Sequence, residues 1–407
     1  MDFDESDIQA SYPDKFVCAD CFHDDHLKSF IEDGVANRTC SYCGKHSLRK
    51  NIAAPVDAVI ERMFEAISQR YGEAWRSGCS WDSEDDRYLN ETWDTDDILQ
   101  RYVDLPNDDS GALYQDICDA FPSWDWSTTD PWSSTDAEIL QWGWKRFVDA
   151  VKYRRRFFFT RQEENDESER DRENLDPGAL LERFGRGCAR SGLIATVPKG
   201  TTILRCRPRG RRAERFTMAR ELGPPPCRFA RQNRMSPAGI PMFYGSDDKQ
   251  TTLAEMPELP RFYAIGTFET LRPLRVLDLT NVRAPSIFDD SDGADYDWLV
   301  FMSEFLQDFS SPIERDDRIH IDYVPTQVIT EYLRDAKLGG DPPLAGIKYR
   351  SARRKGGICY VLFIDEYGVE PNDGDLTASD EQDERWRKPK EAYALRLHNI
   401  GHFARRK

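Results

Sequence analysis

Two sets of residues in this 407-residue chain have types and spacings that could do chemistry. The first is a pair of cysteine pairs, Cys18 with Cys21 and Cys40 with Cys43, in the pattern C-x2-C-x18-C-x2-C. Two residues between thiolates let one tight turn aim both sulfurs at a single ion, and the spacing falls in the range of zinc sites. Coordination by four thiolates leaves no open position for water, so the expected zinc is structural. Four reduced core cysteines without metal are the competing reading, and His23, His26 and His46 lie close enough to replace a cysteine.

The second set lies in residues 233–256, NRMSPAGIPMFYGSDDKQTTLAEM. Arg234 is followed ten residues on by Tyr244 and eleven further by Glu255, around a turn made by Pro237, Gly239 and Pro241. Upstream, Arg205 and Arg207 alternate with Leu204 and Cys206, as strand residues pointing to one face do. Downstream, Ser351 follows Tyr349 and Arg350, just before a basic turn with Arg353, Arg354 and Lys355. Arginines, a tyrosine, a carboxylate and a hydroxyl gathered in this way make the stretch a candidate site. Each residue also has a plainer reading. Glu255 could be an early-helix carboxylate favoured by the dipole, Arg234 a turn-stabilising cation, Tyr244 a half-buried strand aromatic, and Ser351 a strand end.

These residues need elements to position them. Apolar residues at three- and four-residue intervals predict an amphipathic helix within 52–75, with Pro55 in its first turn. Residues 72–138 crowd acids with Trp75, Trp81, Trp93, Trp124, Trp126 and Trp132, which reads as an irregular packed segment: either a partner-binding surface or a solvated rim around buried indoles. A second helix is expected over 137–159, ending in a basic aromatic patch that either completes the helix terminus or binds nucleic acid. The charged run 161–178 closes on Asp-Pro-Gly and reads as a linker. Beyond it, strands (TTILRCRP, RFYAIGTFETL, PLRVLDLT, AGIKYRS, GICYVLFI) and helices (DWLVFMSEFLQDF, PTQVITEYLRDA) alternate without regular crossovers, which predicts an α+β fold. The expected domains are a ribbon at 1–50, an acidic, tryptophan-rich helical domain at 51–175 and a catalytic domain at 176–407.

Charge and hydropathy narrow the partners. A net charge of −17 opposes a general grip on nucleic-acid phosphates, so nucleic acid is not an expected ligand. No run approaches the length of a membrane span, and the N-terminus MDFDESDIQ is acidic where a signal peptide is basic, so a cytoplasmic protein with no membrane contact is expected. The phosphate-loop and dinucleotide glycine patterns are absent.

In order and context the second set resembles the RES domain, named for its Arg, Glu and Ser. The matching residues are Arg234 in NRMSPAG, Tyr244 in FYGS, Glu255 in TLAEM, Thr326 and Gln327 in YVPTQVITEYLR, and Ser351 in GIKYRSA, over roughly residues 180–400. The ribbon and helical region are similar to the amino-terminal domain found fused to some RES domains and named with the HEPN ribonucleases. The resemblance implies an ADP-ribosyltransferase-like fold and cleavage of the nicotinamide–ribose bond of NAD, often by a toxin held by an antitoxin or other regulatory protein; a homo-oligomer is also open. It implies Glu255 as the carboxylate at the ribose, Arg234 with Arg205 or Arg207 on the diphosphate, Tyr244 stacking on nicotinamide or its ribose, and Ser351 on a phosphate or ribose oxygen. The family commonly has an aromatic residue before the first arginine; Leu204 stands here, so Arg205 and Arg207 both stay open. Water gives hydrolysis, phosphate gives phosphorolysis, and a macromolecular nucleophile gives ADP-ribosylation. A binding module with an inactive RES domain is the alternative outside catalysis. HEPN ribonucleases use an arginine followed four to six residues later by a histidine, and no histidine occurs between His46 and His320, so ribonuclease activity is not expected.

Overall fold

The computed structural model describes residues 14–157, 175–256, 258–289, 293–310, 318–338, 340–372, 374–377 and 380–405. The acidic N-terminal residues, Phe158, Phe159 and the linker run as far as 174 lie outside the described residues. The chain forms two compact units, Met1–Asp136 with Ala284–Asp297, and Ala137–Arg283 with Trp298–Lys407.

In the first unit, strand β1 (Phe16–Cys18) pairs antiparallel with β2 (Ala53–Pro55), flanking helix α1 (Asp25–Asp33). Helix α2 (Val56–Ser68) follows, with Pro55 as its N-cap residue rather than in its first turn. The periodic face of α2, Val59, Ile60, Met63, Phe64 and Ile67, is buried in the same core as Cys18, Cys21 and Cys40, so the ribbon and the helix share one interior. Next come β3 (Tyr71–Glu73), β4 (Trp81–Asp82), β5 (Arg87–Tyr88), α3 (Thr95–Tyr102), α4 (Ala112–Ala120) and β6 (Trp126–Thr128), with β3 paired to β6 and β4 to β5. The acidic segment is therefore more regular than its composition suggested, because its acids cap helices. Asp94 accepts the Asp97 amide at the start of α3, and Asp108 accepts the Leu113 and Tyr114 amides at the start of α4.

The second unit opens with α5 (Asp136–Tyr153) and α6 (Pro177–Arg190). The Asp-Pro-Gly that closes the charged run is the α6 cap: Asp176 accepts the Gly178 and Ala179 amides and Pro177 occupies the first turn. Next along the chain are β7 (Ile194–Val197), β8 (Thr202–Arg209), α7 (Ala219–Leu222), β9 (Phe243–Ser246), α8 (Lys249–Ala254), β10 (Phe262–Thr270) and β11 (Leu274–Asp278). The remainder is α9 (Gly293–Ser310, of which the part from Trp298 on belongs to this unit), α10 (Ile319–Asp322), α11 (Val324–Asp335), β12 (Gly346–Arg350), β13 (Ile358–Leu362), β14 (Val369–Glu370) and β15 (Leu395–Ala404). The nine strands of this unit form one sheet in the order β14-β15-β10-β8-β9-β13-β12-β11-β7, antiparallel except at β11/β12 and β14/β15. Strand alternation divides its core. Leu277, Ile347 and Val361 pack with Trp144, Phe147, Phe184 and Phe305 of the helices, whereas Val276 and Leu362 join Ile203, Phe243 and Phe268. Helix α5 buries Trp144 and Phe147 in the core that holds Phe184 and Phe305. The mixture of helices with a mainly antiparallel sheet is an α+β architecture.

Candidate active site

The four cysteines come together. Their sulfurs all lie within 4.8 Å of one another, with Cys18–Cys21 at 3.9 Å, Cys18–Cys43 at 3.5 Å and Cys21–Cys40 at 3.6 Å. A Zn–S bond of about 2.3 Å sets tetrahedral sulfurs about 3.8 Å apart, so these residues fit a four-thiolate metal site. Gly44, with φ of 70°, supplies the left-handed turn after Cys43. Hydrogen bonding to Cys18 and Cys40, and then burial, pushes the Cys21 thiol up. The three nearby histidines are engaged elsewhere, His23 with Asp104, His26 with Asp289 and His46 with Thr39.

The second set of residues builds a different kind of site. Asp248 ends the β9 turn and starts α8 by accepting the Gln250 and Thr251 amides. The Thr251 hydroxyl, the amides and the Arg354 guanidinium hold the Asp248 carboxyl down at about 2. Because α8 is only six residues long, Glu255 falls at its C-cap, not in its first turn. The helix dipole does not favour a carboxylate there, so other groups must hold it. Ser351 Oγ donates to Glu255 Oε1 at 2.5 Å, and the Cys359 thiol points at the same oxygen from 3.6 Å. Ser351 Oγ in turn accepts the amides of Arg353 and Arg354, each at 3.1 Å, which commits its single proton to Glu255. Arg354 fastens this loop to α8 through Asp248, Thr251 and Gln250. Gly357 is required there, since a Cβ would come within 2.4 Å of Thr251 Oγ1. Among the described residues no protein donor reaches Glu255 Oε2.

Glu255 lines a cavity of about 340 Å³ together with Arg205, Arg234 and Tyr244. Arg205 lies over the Phe243 ring at 5.1 Å, and its Nη1 is buried without a hydrogen-bond partner. Burial, then the neighbouring Arg207 charge, pushes the Arg205 guanidinium down to about 9, which leaves it cationic at neutral pH. Arg234 donates from Nη1 to the Phe309 carbonyl at 2.8 Å, in the last turn of α9. Burial pushes Tyr244 up to about 12, and its hydroxyl meets Ser236 Oγ at 2.8 Å. Thr326 and Gln327 hold the turn that carries Arg234: Thr326 Oγ1 donates to the Arg234 carbonyl, and Gln327 Nε2 to those of Asn233 and Ser236. A buried cation lacking an anion, next to a carboxylate with a free oxygen, suits a ligand carrying phosphate and a centre that becomes positive.

Two family descriptions match the sequence. Residues 34–165 match the HEPN/RES N-terminal domain 1, and residues 203–379 match the RES domain. The chain carries a RES domain. Every residue just described around the cavity falls within it. RES domains are associated with NAD-related toxin activity. Comparison with curated proteins and with solved structures gave no match.

The RES domain brings Arg205, Arg234, Tyr244 and Glu255 to one cavity, but not all the expected residues line it. Ser351 sits behind Glu255 instead of facing the cavity, and Arg207 is turned to the Gly223 carbonyl at 2.7 Å. Of the two strand arginines, Arg205 is therefore the one in the wall. Asn233, Tyr323 and Cys359 also line the cavity and were not picked out from sequence. For Cys359 a signal existed: the β12–β13 hairpin sets it opposite Tyr349, and Ser246 pairs with it on the other side. Three cations of the basic patch at the end of α5 are engaged, Lys152 with Asp322, Arg154 with Asp149 and Arg156 with the Lys152 carbonyl. His398 pairs with Glu269, and His402 accepts the Phe216 amide. No helix among the described residues is long and apolar enough to cross a membrane.

Proposed function

We propose that this protein cleaves the nicotinamide–ribose bond of NAD. The observation that carries the reading is the pairing, in one cavity, of a carboxylate with a free oxygen and an arginine with a buried, unpartnered nitrogen. Arg205 and Arg234 hold the diphosphate, and Tyr244 packs on nicotinamide or its ribose. As the C1'–N bond breaks, its electron pair leaves with the pyridinium nitrogen to give neutral nicotinamide. Glu255 stabilises the resulting positive charge on the sugar and orients its 2'-hydroxyl. Water attacks C1', loses a proton and gives ADP-ribose; inorganic phosphate attacking in its place gives the 1-phosphate. Ser351 acts through Glu255, as a positioning residue. In this reading the fold of the catalytic unit is ADP-ribosyltransferase-like, the cysteine-bound metal is structural zinc, the compartment is the reducing cytoplasm, and the activity serves a toxin or defence effector restrained by a partner protein. The test is incubation of the protein with NAD, with and without phosphate, following nicotinamide and the ribose product. Release with ADP-ribose or its 1-phosphate is expected; label from NAD appearing on a protein or nucleic acid would instead favour ADP-ribosyl transfer.

A further inference from the structure

The first unit exposes large apolar side chains on segments that are hydrogen-bonded to one another. Trp75 is 62% exposed, Trp81 50%, Leu89 61% and Trp132 64%, although tryptophan is among the residues that most reward burial. Hydrogen bonds tie the segments that carry them together. Trp132 Nε1 donates to the Gly78 carbonyl at 3.1 Å, Asn90 Nδ2 to the Pro131 carbonyl at 3.2 Å, and the Leu89 amide to the Ser80 carbonyl at 2.8 Å. Trp81 and Tyr88 stand edge to face across the β4–β5 hairpin, with centroids 4.8 Å apart. Apolar surface gathered in this way marks an interaction site.

Charge says what kind of partner covers it. Residues 72–136 hold seventeen Asp and Glu against three Arg and no Lys. All three arginines are engaged within the unit: Arg76 with Glu73, Arg87 with Asp85, and Arg101 with the Tyr71 hydroxyl. Glu84, Asp85 and Asp86 at the hairpin tip and Asp130 beside Trp132 are exposed. The unit also shows how its indoles receive cations, since Arg76 lies over Trp75 at 5.5 Å and Trp124 at 5.8 Å, and Arg101 over Trp93 at 4.7 Å. We propose that the face formed by Trp75, Trp81, Leu89 and Trp132 docks a basic, arginine-bearing segment of a partner protein, whose guanidinium groups stack on the indoles and pair with the hairpin acids. Aromatic anchors supply the affinity and the acidic rim supplies steering and selection. This inference is independent of the reaction proposed for the other unit.

The test uses the intact protein and a short synthetic peptide of alternating arginine and glycine, titrated by tryptophan fluorescence and calorimetry at several salt concentrations. Saturable binding is expected, weakened about tenfold or more by Trp81→Ala combined with Trp132→Phe, changes that leave net charge untouched. The variant E84Q/D85N/D86N, which touches no aromatic residue, should also weaken binding and flatten its salt dependence. Equal affinity in the aromatic variant would reduce the interaction to nonspecific charge attraction and overturn the proposal. So would absence of peptide binding at low salt, preference for an oligonucleotide over the peptide, or a dimer that disappears in the aromatic variant, which would make a second copy the occupant.

Discussion

The two units of this protein treat reactive groups in opposite ways. In the first, four sulfurs point inward and satisfy one another's geometry, three of them buried in the core they share with α2, while the acids lie outside or cap helices. In the second, charges are carried to the wall of a cavity and left incomplete: Arg205 has a nitrogen without a partner and Glu255 an oxygen without a donor among the described residues. A filled coordination set holds a fold together, whereas an unfilled one awaits a ligand. On the proposed reading, stability belongs to the cysteines and chemistry to the carboxylate and arginines.

The largest test of that division is removal of the proposed structural metal. Structural zinc sites contribute on the order of 10 kcal/mol to small domains, so a strong chelator or Cys21→Ser should unfold the first unit, read as a lost near-ultraviolet tryptophan signal with metal release. An unchanged melting curve after metal loss would break the comparison from this side.

On the other side, Glu255→Gln should lower the rate of nicotinamide release by about 10²–10³-fold while leaving metal content and thermal stability unchanged. A smaller effect is expected for Ser351→Ala, about tenfold in kcat with little change in KM, because the hydroxyl holds the carboxylate and does not touch the ligand. A change confined to KM would return Ser351 to the cavity wall.

Arg205→Leu should separate affinity from stability. Removing a cation whose Nη1 is buried and unpartnered should raise the folding stability slightly, by about 1 kcal/mol or less, while raising KM for NAD about tenfold. Arg207→Leu should raise KM far less, since that side chain is spent on the Gly223 carbonyl. The smallest effect concerns acid. The Asp248 carboxyl is held at about 2, below its ordinary 3.8, so its contribution is complete above about pH 4 and is lost as pH falls from there towards 2. Asp248→Asn should flatten that part of the stability–pH curve, by under about 1 kcal/mol.

What could be read from sequence depended on distance along the chain. The cysteine pairs, the α2 face and the strands β8, β10, β12 and β13 have short-range periodicities that survive folding. Strand β15 escaped notice because LRLHNIGHFA lacks clean alternation, although its pairing with β10 runs along the whole of that strand. The acidic segment looked irregular because composition hides which acids are caps. Around the cavity, Arg234, Tyr244 and Glu255 lie close in sequence and were legible as a set. The bond from Ser351 to Glu255 joins residues 96 apart, and only the β9–β13–β12 pairing brings them together. For the same reason Arg205 and Arg207 looked equivalent until Gly223 claimed one of them.

The most direct measurement is nicotinamide release from NAD by the wild-type protein and by Glu255→Gln, with NAD binding measured on the same samples. The account predicts that both bind NAD and only the wild type releases nicotinamide at an appreciable rate. Equal release from the two proteins would contradict it, as would a wild-type protein that binds NAD and leaves it intact.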